Sequence, residues 1–535
     1  MRVLRTVAVI DGGGPMIEHR GGERKADPAP AAAGFAALRR APPSRSFDRG
    51  GRPRDRLEGS VRGIPGGDVR IDTDYLVVGA GATGLAFADA LVAETDAEVT
   101  LVDRRPAPGG HWLDAYPFVR LHSPSAYYGV NSLRLGEDRV DREGENAGFY
   151  ERATGGEVCD YFAAVAARLR RGGQVRLLTG HEFLGEGTAA ESVRDLGTGA
   201  LHDVGVRRRI VDARYLEASV PATHTRPFEV APSARVVAVN DLPAASDSAD
   251  SFTVLGSGKT AVDACTWLLE GGVDPDRIRW VRPRDAWFND RADFQPLEQV
   301  GGIMNGLSLD AEAGARATDI GDLLERLEAS GRMIRIDRSQ TATMYRGTML
   351  SARELESVRR IDGVVRLGRV RRIEADRIVL DRGEVETSRG VVHVDCTALG
   401  LSSAPAVPLF QPGRIVLQQV RHNSPTFNAA LAGFVEAARD DDVDKNRLCP
   451  PNPYASGIDD WPRMMSRTWR TEQRWLAEPD LAGWLARSRL NLLGALPDHA
   501  AEPPVRAALE RFATHVGAAI ERLGRLGGSP SPAEA

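Results

Sequence analysis

The chain contains 535 residues with a mass of 57.8 kDa, enough for about two to four domains with substantial cores. Its formal net charge of −5 argues against a nucleic-acid-binding protein, and no stretch approaches the roughly 18 apolar residues of a membrane span. Four widely spaced cysteines without a C-x-x-C pair exclude a thioredoxin-type redox centre and a zinc ribbon, so we predict no metal site and a reduced, cytoplasmic protein.

Residues 1–70 are rich in Arg, Pro, Gly and Ala. This composition predicts a disordered extension or translation from an upstream start codon; the alternative is a basic arm for an anionic partner. The apolar run at residues 3–10 contains Arg5 and no cleavage pattern follows it, so we expect no signal peptide. The folded part is predicted to begin near Ile71.

The strongest pattern is a strand, a turn, a helix and a second strand between residues 74 and 103. Residues 75–78 and 99–102 are apolar and rich in β-branched side chains, and residues 85–93 have a helical pattern. The turn carries G-x-G-x-x-G, and an acid follows about 20 residues later; these residues are Gly79, Gly81, Gly84 and Asp103. They predict a dinucleotide-binding βαβ unit whose helix N-terminus faces a pyrophosphate and whose acid binds a ribose.

The next part of the chain begins with an aromatic segment at residues 112–129. A helix with one buried face is predicted from the spacing of Val158, Tyr161, Phe162, Val165 and Leu169. Residues 174–184 and 201–213 are predicted strands, and residues 240–251 are a predicted polar linker.

A second unit of the same kind follows the linker. Residues 252–255 and 278–281 are apolar, and Gly256, Gly258 and Ala261 form the fingerprint, since alanine is allowed at its third position. No acid ends the second strand, where Arg282 and Arg284 stand instead. Guanidinium groups there suit a 2′-phosphate and favour NADPH over NADH; the alternative is a pair of solvated surface arginines.

The remaining sequence is predicted to mix helices and strands. Residues 318–330 and 351–360 have helical patterns, the second with a capping box at Ser351 and Glu354. Residues 364–380 resemble a short meander, residues 391–395 are a buried strand, and the last hundred or so residues have helical patterns with several tryptophans.

Further short motifs accompany the two units: Asp103-Arg104, Gly109-Gly110-His111-Trp112, Tyr116-Pro117, Arg120 and Thr397-Ala398-Leu399-Gly400. With Gly256-x-Gly258-x-Thr260-Ala261, this series resembles the two-dinucleotide-binding flavoproteins, especially the class B flavoprotein monooxygenases of the Baeyer–Villiger and flavin-containing types. The resemblance extends over residues 71–400. Two features differ from that family: His122 stands where an aspartate is usual, and the Phe-x-Gly-x3-His fingerprint is absent.

The resemblance implies an α/β fold with two Rossmann-like domains, the NADPH domain being inserted in a discontinuous FAD domain and followed by a helical tail. We expect the FAD domain at residues 71–245 and 385–450, the NAD(P)H domain at 246–384 and the helical region at 451–535. The implied function is an FAD-dependent, NADPH-using monooxygenase of a small organic or natural-product substrate, with molecular oxygen as co-substrate. A reductase or dehydrogenase of the same fold and a non-catalytic flavin-binding module remain alternatives.

The fingerprints and the resemblance together name the candidate site residues. For FAD they are Gly79, Gly81, Thr83, Gly84, Asp103, Arg104, Gly110, Trp112, Ala398 and Gly400. For NADPH they are Gly256, Gly258, Lys259, Thr260, Arg282 and Arg284. The catalytic candidates, in the segment expected beside the flavin ring, are His111, His122, Tyr116 and Arg120. One interpretation of the histidines is proton delivery, or hydrogen bonding to a flavin peroxide, since imidazole titrates near neutral pH; the other is aromatic core packing with a satisfied imidazole. Tyr127 and Tyr128 have the same two interpretations, and Cys396 is expected to be an inert small apolar residue.

Overall fold

The computed structural model describes residues 70–185, 191–401, 404–455 and 457–528, so the predicted extension at residues 1–70 lies outside the description except for Arg70. The strands are β1 (Ile71–Val78), β2 (Val99–Asp103), β3 (Val175–Thr179), β4 (His181–Phe183), β5 (Ser192–Asp195), β6 (Leu201–Asp212), β7 (Ala218–Ser219), β8 (Glu229–Val230), β9 (Val236–Ala238), β10 (Ser251–Leu255), β11 (Ile278–Val281), β12 (Asp285–Asp290), β13 (Met333–Arg335), β14 (Ala342–Leu350), β15 (Val364–Val365), β16 (Val370–Ile373), β17 (Arg377–Leu380), β18 (Gly383–Glu386), β19 (Val391–Asp395), β20 (Gly400–Leu401), β21 (Phe410–Gln411) and β22 (Arg414–Val416). The α-helices are α1 (Ala82–Glu94), α2 (Gly155–Arg171), α3 (Leu242–Ser246), α4 (Lys259–Glu270), α5 (Val300–Arg316), α6 (Ile320–Ala329), α7 (Ala352–Val358), α8 (Pro425–Ala438), α9 (Asp442–Leu448), α10 (Trp461–Ala477), α11 (Pro479–Arg487), α12 (Leu496–His499) and α13 (Pro503–Leu526).

β1 lies inside the first sheet, whose strand order is β21-β22-β6-β1-β2-β3. From β22 to β3 the strands run parallel, and Val77 lies opposite Leu101 on one side and Val211 on the other. A parallel sheet is covered on both faces, which explains the uninterrupted apolar run at residues 75–78. α1 and α8 pack so closely that a Cβ atom on Gly433 would lie 2.7 Å from the carbonyl oxygen of Phe87. The first predicted βαβ unit is therefore confirmed.

The second sheet is also parallel, with the order β15-β11-β10-β19-β9. β10, α4 and β11 form the second predicted βαβ unit. The structure corrects the predicted domain boundaries, because β19 pairs with β10 and lies in this sheet instead of the first one. An apolar run buried on both faces fits any parallel sheet, so its sequence does not identify its partners. The second parallel sheet therefore takes its strands from residues between 236 and 395, and part of the predicted 240–251 linker is α3.

The chain crosses between the two sheets twice, and the two crossings pair with each other. β7 lies on the outward connection and β20 on the return, and they form an antiparallel pair with Gly400 opposite Ser219. After the return, β22 adds to the first sheet beside β6. The predicted insertion of one dinucleotide-type domain into another is confirmed by this connectivity.

The helical C-terminal region packs on the part of the chain that follows β12. α10 and α13 share an apolar cluster with α5, which the sequence analysis did not identify; its members include Ala311, Trp461, Met465, Trp469 and Leu523. The predicted meander is only partly correct, because β15 joins the parallel sheet whereas β16, β17 and β18 are antiparallel. Within the described ranges, no helix is both long and apolar enough to cross a membrane.

Candidate dinucleotide sites and the segment between them

The first candidate site is the start of α1, at the carboxyl end of β1. Gly81 is the N-cap, and no side chain accepts a hydrogen bond from the first turn of α1. The free N–H groups and the helix dipole make such an end suitable for a phosphate. A Cβ atom on Gly110 would lie 3.1 Å from the Cα atom of Gly81, so the two loops approach at backbone distance. Gly84 permits close packing of α1 on β1, since a Cβ atom there would overlap the carbonyl oxygen of Gly79.

Asp103 lies at this site and supports the glycine loop directly. Its carboxylate accepts hydrogen bonds from the backbone N–H of Ala80 at 2.7 Å and of Arg105 at 2.8 Å. A carboxylate has about four acceptor positions, so two of them are left for a ribose, and ribose binding remains a prediction. Thr83 donates to the carbonyl oxygen of Ala213 at 3.2 Å, and Arg104 forms an exposed ion pair with Glu217. Neither of these two contacts indicates that Thr83 or Arg104 binds a cofactor.

The second candidate site is the start of α4, and it repeats the first. Gly258 is the N-cap without a side-chain cap, and a Cβ atom built on it would meet nothing within 4 Å. Gly256 has a φ of +133°, and a Cβ atom there would lie 2.6 Å from the carbonyl oxygen of Cys396. The indole N–H of Trp280 donates to the carbonyl oxygen of Gly256 at 2.7 Å and fixes this loop. The open space in front of Gly258 fits a pyrophosphate.

The two arginines predicted to bind a 2′-phosphate have different environments. Arg282 is only 3% exposed, its Nη2 atom lies 3.3 Å from Asp285, and its guanidinium lies 4.9 Å from the centre of the Trp280 ring. It lines a cleft of about 530 Å³ next to β11 and β15. Burial and the contact with Asp285 leave Arg282 less available to a phosphate than Arg284, and a role of Arg282 in cofactor binding remains a prediction.

Arg284, by contrast, is exposed, and its backbone N–H lies 3.5 Å from the hydroxyl oxygen of Ser257 in the glycine loop. Partial burial, and then the neighbouring cations Arg369 and Arg346, lower the pKa of Arg284. Among the described residues no carboxylate lies within ion-pair distance of Arg284, Arg346 or Arg369. This cationic group beside the second glycine loop is suited to an anion.

Lys259, predicted as a cofactor ligand, is directed away from that loop. Its ammonium forms ion pairs with Asp263 one turn later in α4 and, at 3.1 Å, with Glu354 of α7. Burial opposes its charge, but the two carboxylates outweigh burial and raise the pKa of Lys259. Both acids would compete with a phosphate for the ammonium, and cofactor binding by Lys259 remains a prediction.

The aromatic segment that follows Gly110 connects the two domains. His111 stacks on Trp112 with 5.4 Å between ring centres, and the Trp112 indole N–H donates to the Tyr128 hydroxyl at 2.8 Å. Further along, the Tyr116 hydroxyl donates to Asp263 of α4 at 2.6 Å, and Phe118 stacks on Trp267 of the same helix at 5.2 Å. The segment thus begins beside the first glycine loop and ends on the helix of the second.

The four catalytic candidates do not form one cluster of free groups. Tyr116 is buried, and burial followed by the Asp263 charge raises its pKa well above the usual value. Arg120 is exposed and donates to the carbonyl oxygen of Arg152 at 3.2 Å. Burial lowers the pKa of His111 to about 4 and that of His122 to about 3; the charges of Lys259 and Arg291 add to the effect at His122. Both imidazoles are therefore neutral near pH 7, which disfavours proton delivery from an imidazolium.

The low pKa of His122 predicts a pH-dependent stability. In the unfolded state the His122 imidazole has a pKa of about 6.5, and in the folded state its pKa is about 3. Between these two pH values the unfolded state is protonated at His122 and the folded state is not. Folding is therefore penalised as the pH falls below 6.5. We expect wild-type apoprotein to lose about 1.4 kcal/mol of stability per pH unit relative to His122→Gln between pH 6 and pH 4, measured by urea denaturation. A constant difference between the two proteins over this range would refute a neutral, buried His122.

Other predicted residues lie on the return connection. Gly400 has a φ of +73° and pairs with Ser219, and Ala398 is partly buried. Their contact with FAD remains a prediction. Cys396 is buried, and burial raises the pKa of its thiol, which agrees with an inert apolar role. The described residues include no group of side chains that could hold a metal ion.

Sequence reasoning missed the charged residues that surround Tyr116 and His122. They are Arg152, Arg291 and Glu354, which are buried, and Asp263, which is partly buried. One signal was available, since Lys259 and Asp263 are spaced i, i+4 on a predicted helix. Glu354 was recognised only as a capping residue, which it also is, because it accepts from the Ser351 N–H at 2.7 Å. Nothing in the sequence pointed to Arg291.

Comparison with known proteins supports the first site and defines the family. A model of the NAD(P)-binding Rossmann-like domain matches residues 77–133. Uncharacterized protein Rv2000 of Mycobacterium tuberculosis (strain ATCC 25618 / H37Rv) is 45% identical over 462 residues, which cover 85% of this chain and 84% of the relative. This chain belongs to that protein's family. Uncharacterized protein Mb2023 of Mycobacterium bovis (strain ATCC BAA-935 / AF2122/97), another member, matches with the same identity and coverage.

Matches between this member of the family and solved structures of other proteins have TM-scores below 0.5. The open crystal structure of cyclohexanone monooxygenase has a TM-score of 0.44 at 13% identity and covers 69% of this chain and 87% of its own. The flavin-containing monooxygenase from Stenotrophomonas maltophilia has a TM-score of 0.43 at 13% identity, covering 69% of this chain and 98% of its own. At this level of similarity neither substrate nor chemistry transfers to this chain.

Proposed function

We propose that the protein is an FAD-dependent oxidoreductase that takes hydride from NADPH, with oxygenation of a small organic substrate as its reaction. The observation that supports this most strongly is the duplication of one feature. In each parallel sheet one strand leads into a glycine loop and then into a helix whose N-terminus has no side-chain cap. The N-cap residues of these two helices are Gly81 and Gly258. A protein that only binds one cofactor does not need a second dinucleotide site, whereas hydride transfer between two cofactors requires two such sites.

The residues of the first site fit FAD. The backbone N–H groups at the start of α1 would hold the pyrophosphate, and Asp103 would accept from the adenosine ribose. FAD, when bound, supplies the redox chemistry by taking hydride from a nicotinamide and passing electrons to an acceptor such as oxygen. The protein supplies position and exclusion of water, and the stacked pair His111 and Trp112 beside Gly110 is suited to both tasks.

The residues of the second site fit NADPH. The pyrophosphate would lie at the start of α4, in the open space in front of Gly258. Arg284, with Arg346 and Arg369 beside it, would bind the 2′-phosphate, because a guanidinium and a phosphate form charge-assisted hydrogen bonds.

This assignment predicts the cofactor preference. Arg284→Ala removes one phosphate contact worth about 1.5–3 kcal/mol, so we expect the Michaelis constant for NADPH to rise roughly 10- to 150-fold with little change for NADH. Steady-state kinetics with NADPH and with NADH measure the two Michaelis constants. Arg338→Ala is the control, because that side chain is 69% exposed and its nearest carboxylate is Glu328 at 3.4 Å. Equal losses for NADPH and NADH in Arg284→Ala would mean that Arg284 does not contact the 2′-phosphate.

The second candidate function is a reductase of the same fold that makes no oxygenated product. The neutral state of His111 and His122 favours it, because a neutral imidazole can donate a hydrogen bond but is a much weaker proton donor than an imidazolium. NADPH oxidation with and without oxygen distinguishes the candidates. A monooxygenase needs oxygen and inserts one atom of labelled oxygen into a substrate from a panel. A reductase transfers electrons to dyes or quinones without oxygen, and in air it converts oxygen only to hydrogen peroxide. Protein that remains colourless after reconstitution with FAD would refute both.

A further inference from the structure

A closed circuit of contacts, buried at Arg291 and Glu354 and partly buried at Lys259 and Asp263, begins and ends in the segment at residues 116–122. The Tyr116 hydroxyl donates to Oδ2 of Asp263 at 2.6 Å, and Oδ1 of Asp263 pairs with the Lys259 ammonium. Lys259 lies 3.1 Å from Oε1 of Glu354, whose Oε2 atom pairs with Arg291 at 2.6 Å. Nε of Arg291 then donates to the carbonyl oxygen of His122 at 3.1 Å, which closes the circuit.

The charges in the circuit alternate and balance. Asp263, Lys259, Glu354 and Arg291 are negative, positive, negative and positive in turn, and the side chains of Glu354 and Arg291 are at most 1% exposed. A balanced set of this kind has no surplus cation for a phosphate. Burying ion pairs costs desolvation and adds little net stability, and their best-attested use is to fix one structural arrangement over others.

The circuit connects the start of α4 to the segment 116–122, and hydride transfer requires a fixed distance between the two dinucleotide sites beside them. Lys259 is the first residue of α4 and follows Gly258 directly, so it marks the start of the second dinucleotide site. The segment 116–122 continues from Gly110 and Trp112, beside the first site. Glu354 is itself held by the capping box of α7, which limits the movement of its carboxylate. Each link therefore transmits the position of α4 to the segment.

We propose that Lys259 and Glu354 are positioning residues, which act through Asp263 and Tyr116 to hold the segment 116–122 against the start of α4. In this arrangement Lys259 is not a ligand of the dinucleotide. The inference rests on the proposed function, since the fixed distance serves hydride transfer from a nicotinamide to a flavin. A displacement of about 1 Å between reacting groups lowers a rate by as much as about 100-fold.

Tyr116→Phe tests the proposal, because it opens the circuit by one hydroxyl and keeps all four charges. Tyr75→Phe is the matched control: the Tyr75 hydroxyl also donates to a buried carboxylate, Glu436 at 2.9 Å, which also pairs with a lysine, Lys445 at 2.6 Å.

We expect Tyr116→Phe to bind FAD and NADP⁺ within about threefold of wild type. Its anaerobic flavin reduction at saturating NADPH should be at least about tenfold slower. The change that NADP⁺ causes in the visible spectrum of the holoprotein should be lost. The control should match wild type in every measurement.

Two results would overturn the proposal while leaving the proposed function intact. One is a Tyr116→Phe protein that behaves like the control. The other is a Lys259→Gln protein that folds and loses at least about tenfold in NADP⁺ affinity by calorimetry while Tyr116→Phe does not, since Lys259 would then be a direct ligand. A wild-type protein that binds neither FAD nor NADP⁺ would reject both the function and the circuit's role.

Discussion

Gly81→Val is expected to give a folded protein without FAD. Gly81 has φ and ψ angles of −83° and −169°, which any residue adopts, and its Cβ atom would lie 3.4 Å from the Cα atom of Gly110, an ordinary contact. The two further methyl groups of valine would fill the space between the loops where the pyrophosphate is expected. Losing two charge-assisted hydrogen bonds of about 1.5–3 kcal/mol each corresponds to roughly a 100-fold or greater loss of affinity. Titration of FAD into the apoprotein, followed by visible absorbance, measures the loss.

The control for this experiment is Gly156→Val. Gly156 is also near the start of a helix, α2, and a Cβ atom there would meet nothing within 4 Å. This variant should bind FAD like wild type, and circular dichroism should show the same helix content in both variants. A folded Gly81→Val protein that keeps its full yellow colour would show that the FAD pyrophosphate lies elsewhere.

Gly258→Val should separate the second site from the first. Because the space in front of Gly258 is open, we expect the variant to fold, to hold FAD and to be reduced normally by dithionite. Reduction by NADPH should fail at concentrations that saturate wild type, since valine occupies the place of the dinucleotide pyrophosphate. By the same estimate as for Gly81, the affinity for NADPH falls roughly 100-fold or more. Anaerobic stopped-flow absorbance at the flavin band measures the reduction.

Gly156→Val serves as the control here too, and it should be reduced by NADPH at the wild-type rate. Normal NADPH reduction of Gly258→Val would place hydride delivery outside the start of α4. Loss of FAD from this variant would contradict the separation of the two sites. The pair of glycine variants therefore tests each site against the other.

Local patterns were sufficient to locate both dinucleotide units. The strand, the glycines, the helix and the second strand lie within about 30 residues, and each is recognisable from neighbouring residues alone. The assignment of β19 to the first domain failed because strand pairing in a parallel sheet depends on distant segments; its partner β10 is separated from it by most of the second domain. The sequence identified the strand without identifying its sheet.

The ion-pair partners and the burial of individual site residues were predicted less well than the two βαβ units. Lys259 and Arg282 have the residue type and the position of cofactor ligands, but both form ion pairs with carboxylates of this chain. Glu354, the partner of Lys259, lies 95 residues away in the chain. The low pKa of His122 likewise comes from burial beside Lys259 and Arg291. Residue type gives the chemistry that a side chain can perform, whereas its partners decide whether it is available.

The insertion of one domain into the other has a consequence for the order of folding. β22 must find β6 across a long intervening chain, as in the contact between Arg414 and Asp212, which are 202 residues apart. Closing a flexible loop of that length costs about 5 kcal/mol in chain entropy. Once the second domain is folded and β7 is hydrogen-bonded to β20, the ends of the insertion are already adjacent. The loop left to close is then short, so the second domain is expected to form before the first sheet is completed.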